Sequence, residues 1–103
     1  GAGAAAGAGA TAPALSAPVL DQIMPMAPGG LHLMWSNMQP DCDQIEGERK
    51  SGTAEYVAAF KAPGVADNKH DAAPTPGVVN TYRLRCEKGG VYSGYSNEMS
   101  GTP

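Results

Sequence analysis

Val78-Val79-Asn80-Thr81-Tyr82-Arg83-Leu84-Arg85-Cys86-Glu87 alternates in chemistry from Tyr82 onward. Tyr82, Leu84 and Cys86 fall on one face; Arg83, Arg85 and Glu87 fall on the other. A side-chain period of two belongs to an extended strand, so the run predicts a half-buried strand with an apolar inner face. Turn signals bound it on both sides. Pro74-Thr75-Pro76-Gly77 precedes it, and Lys88-Gly89-Gly90 makes a hairpin turn after it.

The same reading extends outward along the chain. Pro18 to Ile23 predicts a first strand, and Ala27-Pro28-Gly29-Gly30 a turn. Leu31-His32-Leu33-Met34-Trp35 alternates, placing Leu31, Leu33 and Trp35 inward and His32 and Met34 outward. Ser36 to Asp43 is a polar loop containing Pro40. Gln44 to Lys50 predicts a strand with Glu46 and Glu48 outward, and Ser51-Gly52 turns the chain. Ala54 to Lys61 has helix-favouring alanines, but its length and flanking glycines favour a strand. After a turn at Ala62-Pro63-Gly64, Val65 to Ala73 predicts a short edge strand. Ser96 to Thr102 closes the chain as the last strand. About seven strands with turn signals roughly every 8–12 residues predict an all-β, two-sheet sandwich.

Composition agrees. Fourteen glycines and nine prolines among 103 residues suit short strands joined by tight loops, not a helical bundle. The length bounds the chain to one domain with a thin core. A net charge of −3 with no basic run excludes a nucleic-acid groove. No apolar stretch is long enough to span a membrane, and no signal peptide is expected within the chain. Gly1 to Ala10 contains only glycine and alanine and cannot build a core. Residues 1–16 therefore read as an arm or linker and residues 17–103 as the sandwich. A free linker and an arm docked on a partner both remain open for residues 1–10.

From about Ala17 to Pro103 the chain resembles fibronectin type III domains, especially those of bacterial and phage proteins. Four stretches carry the resemblance. They are Leu31–Trp35, with Trp35 at the core tryptophan of strand B; Gln44–Gly52, similar to strand C; Pro76–Arg85, leading into strand F; and Tyr92-Ser93-Gly94-Tyr95-Ser96-Asn97-Glu98-Met99-Ser100, similar to strand G. The resemblance implies an immunoglobulin-like sandwich with Trp35, Ile45, Tyr82 and Leu84 in its core. Three positions depart from the pattern. Pro74 replaces a leucine, Asn80 stands where the corner tyrosine falls, and Gly47 replaces a β-branched residue. These departures predict a loosely held corner and a weakened strand. No Arg-Gly-Asp triplet is present, so integrin binding is not carried over.

In that topology strands C and F are antiparallel neighbours, which places Cys42 and Cys86 at the same end of the sandwich. A disulfide between them is one reading. Strict alternation from an inward Ile45 turns Cys42 outward and argues for the other, a buried Cys86 and a separate loop thiol. A bulge or loop residue between Cys42 and Ile45 would remove the objection.

No catalytic constellation is visible. His32 and His70 read as surface histidines, and two cysteines and two histidines at scattered spacing match no zinc pattern. Asp41-Cys42-Asp43 is too poor in oxygen ligands for calcium and reads as a turn. No metal and no cofactor is expected. Glu46 and Glu48 against Arg83 and Arg85 read as a self-complementary, solvated face. Tyr92, Tyr95 and Met34 are the candidate contact surface.

The expected function is a non-catalytic structural or interaction module. It would be a spacer, adhesion or decoration domain of an extracellular, cell-surface or virion assembly. Its partners would be its own copies, neighbouring domains or a scaffold. The alternative is an accessory carbohydrate-binding module of a secreted glycoside hydrolase, using the two tyrosines. A receptor-like ectodomain is the least favoured reading.

Overall fold

A computed structural model describes residues 14–103. The expected arm falls mostly outside this range. Within the remainder, the Ser16 N–H donates to Gln39 Oε1 at 2.8 Å. Eight strands follow in order: β1 Val19–Pro25, β2 Leu31–Ser36, β3 Gln44–Ser51, β4 Val57–Pro63, β5 Asn68–Asp71, β6 Asn80–Lys88, β7 Val91–Tyr92 and β8 Met99–Gly101. The smaller sheet has the order β1-β2-β5. The larger runs β4-β3-β6-β7, with β8 also paired to β6. The β3–β6 ladder is the longest, from Gln44↔Glu87 to Ser51↔Asn80.

The core lies between the two sheets. Leu31, Leu33 and Trp35 enter from β2; Ile45 enters from β3; Tyr82, Leu84 and Cys86 enter from β6. Of the four expected core residues, Ile45, Tyr82 and Leu84 are fully buried and Trp35 is 3% exposed. Trp35 stacks on Phe60, with ring centres 6.1 Å apart and planes 21° from parallel.

That stack accounts for Gly47. A Cβ there would lie 2.5 Å from Phe60 Cζ, so the ring occupies the space a β-branched side chain would need. The expected weakening at Gly47 is offset by an aromatic contact. A bulge between Gly47 and Glu48 marks the site on the β4 side, while the β6 register continues unbroken.

The corner expected to be loose is held by a different device. Asn80 is fully buried. Its Oδ1 accepts from Ser51 Oγ at 2.7 Å and from the Thr75 N–H at 3.3 Å. Its Nδ2 donates to the Thr75 and Val78 carbonyls, both at 3.0 Å. One short amide thus satisfies the backbone of the turn entering β6.

Three strands depart most from their expected bounds. Ala54–Tyr56 lie outside β4, which starts at Val57 and runs on to Pro63. Gly64 packs against the backbone of Cys42 and Asp43 and donates to Asp43 O at 3.1 Å, which delays the turn. Pro63 is tolerated because β4 is an edge strand. The expected strand Val65–Ala73 contracts to Asn68–Asp71, and the last strand contracts to Met99–Gly101.

Cys42 and Cys86 are joined by a disulfide, with their Cα atoms 5.7 Å apart. Alternation from Ile45 does not govern Cys42, because β3 begins only at Gln44. A bend at Asp43, whose N–H donates to Glu87 O at 2.8 Å, turns Cys42 over the sheet end. The bridge spans 44 positions. Replacing both cysteines by serine is expected to cost about 3–4 kcal/mol of unfolding free energy. Urea denaturation of the oxidised chain and the double variant measures this, and equal midpoints would show that the bridge contributes nothing.

Candidate interaction face of the larger sheet

The segment after β7 is built to display two tyrosines. The Ser93 N–H donates to Cys86 O at 2.9 Å, and Ser93 Oγ accepts from the Cys86 N–H at 2.8 Å. Ser96 repeats this on Leu84, with 2.7 Å from its N–H to Leu84 O and 2.9 Å from Leu84 N–H to its Oγ. Each serine hydroxyl thus stands in for a strand carbonyl. Two ladder positions of β6 are matched by three residues of the segment, and Tyr92 and Tyr95 precede the two serines.

Their rings alternate with the outward side chains of β6. The Arg85 guanidinium lies 3.7 Å from the Tyr92 ring centre and 5.3 Å from that of Tyr95. Arg83 lies 3.8 Å from Tyr95 and 3.9 Å from Tyr56. Lys50 continues the row, 5.1 Å from Tyr56. On the other flank Glu48 pairs with Arg83 at 2.7 Å and Glu46 with Arg85 at 3.0 Å. Partly exposed pairs of these kinds contribute roughly 0.5–1 kcal/mol each, so their main effect is to fix the side chains in place.

This arrangement narrows the chemistry available. Tyr92 is 47% exposed and Tyr95 37%, and a guanidinium lies over each ring, which reduces the surface open to stacking. The two arginines are already met by carboxylates, so they form no ready anion site. What remains is a surface of tyrosine and arginine ordered by these contacts, residue types enriched in protein–protein interfaces.

Met34, the third expected contact residue, is elsewhere. It is 41% exposed on the outer face of the smaller sheet, opposite Gln22 and Asn68. His32 and His70 lie on the outer face of the smaller sheet, where they face each other across β2 and β5, half-buried, with ring centres 6.0 Å apart. Both Nδ1 atoms are shielded and have no hydrogen-bond partner.

A buried polar contact absent from the sequence reading joins the two sheets. Asp71 ends β5 in register with inward-facing Leu31 and is 6% exposed. Its Oδ2 accepts from the Tyr82 hydroxyl at 2.7 Å and from Arg49 at 2.6 Å. The sequence reading places Asp71 inside the expected strand Val65–Ala73 and gives it no role. With every partner engaged, Asp71 is a structural carboxylate and not a free base.

Among the described residues, no group of three or more His, Cys, Asp or Glu side chains could hold a metal. An open apolar cleft of about 550 Å³ at one end is lined by five prolines, Met26 and small neighbours, with no titratable side chain. No described helix is long and apolar enough to cross a membrane.

Comparison with solved structures supports the class this architecture defines. The chain is similar to a Fn3-like protein from Clostridium thermocellum, with TM-score 0.71 and 20% identity over 88% of this chain and 96% of that one. It is similar to part of a β-1,2-glucanase from Parabacteroides distasonis, with TM-score 0.74 and 19% identity over 86% of this chain and 13% of the glucanase. Titin kinase with its flanking domains gives TM-score 0.72 and 13% identity over 87% of this chain and 17% of that one. No family model and no curated protein matches the sequence. The fold is a fibronectin type III-like β-sandwich, the form of a modular domain.

Two tyrosines are set to hold their protons tightly. Burial, with the hydrogen bond donated to Glu98 at 2.6 Å, pushes Tyr56 up to about 12. Burial and the bond to Asp71 also raise Tyr82. Their unfolded values are about 10, so the native state keeps protons that the unfolded chain loses above that pH. The stabilisation is complete below about pH 10 and is lost as pH rises through the native values. Unfolding free energy from urea titrations is therefore expected to fall between pH 10 and 12. Tyr56→Phe should flatten that fall, and an unchanged slope would contradict the assignment.

Proposed function

We propose that the chain is a non-catalytic interaction module, a spacer, adhesion or decoration domain within an extracellular, cell-surface or virion assembly. Residues 17–103 form the module and residues 1–16 lead into it. The observation that carries the proposal is the Tyr92–Arg85–Tyr95–Arg83–Tyr56 row, a pre-ordered face whose charges are met within the chain. Such a face costs little side-chain entropy to dock, which suits contact with a protein surface. The Cys42–Cys86 bridge favours an oxidising compartment. The modular fold supports a role as one domain among others. Partners would be copies of this chain, neighbouring domains or a scaffold.

A second reading rests on the likeness to part of a glucanase chain: an accessory carbohydrate-binding module. The guanidinium groups over Tyr92 and Tyr95 reduce the ring surface left for stacking on a sugar. The two readings part on simple measurements. Sedimentation over a concentration range is expected to show association of the full chain that is lost on deleting residues 1–10 or in Tyr95→Ala. Monomers throughout would remove self-assembly. Retarded migration in a gel containing soluble β-1,2-glucan, lost in Tyr92→Ala, would favour the carbohydrate reading.

A further inference from the structure

The outer face of the smaller sheet carries a row that the proposed function leaves unused. Met24 lies directly opposite His32, and His32 directly opposite His70. Directly opposed residues of antiparallel strands point to the same face, with Cβ atoms about 4.5–5.5 Å apart. One thioether and two imidazoles therefore sit side by side on three adjacent strands. The next row, Gln22–Met34–Asn68, adds a second thioether, 41% exposed, and neither row contains a carboxylate.

A shielded ring nitrogen without a hydrogen-bond partner needs an explanation, and this row has two, His32 Nδ1 and His70 Nδ1. We propose that Met24, His32 and His70 form a binding site for a single copper(I) ion. The donor set favours a soft cation. Hard cations such as calcium require several oxygens, whereas thioether and imidazole together suit copper(I).

The donor set separates copper(I) from zinc: the row offers two imidazole nitrogens and one thioether, three donors in all. Copper(I) accepts low-coordinate, near-linear geometry, with a thioether completing a third position, while structural zinc is four-coordinate. The ion bridges β5 to β2 and β1, across the whole sheet. Its charge is unchanged on binding, so no redox partner is required.

The test uses the full, disulfide-intact chain, titrated anaerobically with copper(I) against bicinchoninate. One ion per chain is expected. His32→Ala and His70→Ala should each weaken binding about 100-fold or more, beyond the 10–100-fold typical of a supporting residue. Met24→Leu should also weaken it, and Met38→Leu, which alters a thioether 51% exposed in a loop, should not. Because strand variants can perturb folding, the wild-type chain supplies a second readout. Copper(I) should shift the ring resonances of both histidines together with the Met24 methyl. Absence of binding, shifts confined to Met26 and Met38, or zinc binding as tight as copper(I) and indifferent to Met24→Leu would each overturn the proposal.

Discussion

The β3–β6 ladder is the constraint on which the rest of the structure depends. It pairs every residue from Gln44 to Ser51 with one from Glu87 to Asn80, without a break in register. Its inner face supplies Ile45, Tyr82, Leu84 and Cys86 to the core, and its outer face supplies the Glu–Arg pairs. A slip of one residue would turn one strand over and bury its charges, Arg83 and Arg85 in the case of β6, so the alternation itself fixes the register. Both ends are closed: the Cys42–Cys86 bridge at one, the Asn80 amide at the other.

The smaller sheet is held to this ladder by packing and by two polar ties. Asp71 takes the Tyr82 hydroxyl and the Arg49 guanidinium at the end of β5. Near the start of β1, Asn97 accepts from the Leu20 N–H at 2.8 Å and donates to Leu20 O at 3.0 Å. Both ties use short polar side chains inside or beside the core, where a partnered group is tolerated and an unpartnered one costs about 1–3 kcal/mol. The interaction face follows from the same ladder. Arg83 and Arg85 stand outward because Tyr82 and Leu84 stand inward, and the serine bonds of the following segment deliver tyrosines between them.

The strands with a buried face were legible from the chain. Leu31–Trp35 and Tyr82–Glu87 alternate because one face meets the core, and that alternation is a property of single residues. The edges were less legible. The bounds of β4 and β5 depend on Gly64 meeting the Cys42 backbone and on Asp71 meeting Tyr82, contacts between residues far apart in sequence. Asn80 looked like a loss because its residue type differs from the family's, while its bonds to Thr75 and Val78 depend on the turn's folded shape. His32 and His70 read as surface groups, and their pairing exists only once β5 lies beside β2. Tyr92 and Tyr95 could be singled out by type, but the guanidinium groups against their rings could not.

Native-state amide hydrogen exchange of the oxidised chain tests the central position of the β3–β6 ladder most directly. The account predicts that the hydrogen-bonded amides of Gln44–Ser51 and Asn80–Lys88 exchange only by global unfolding, while those of Asn68–Asp71 exchange earlier through local opening. Exchange of the β3–β6 amides while the β1–β2 pair stays protected would contradict it.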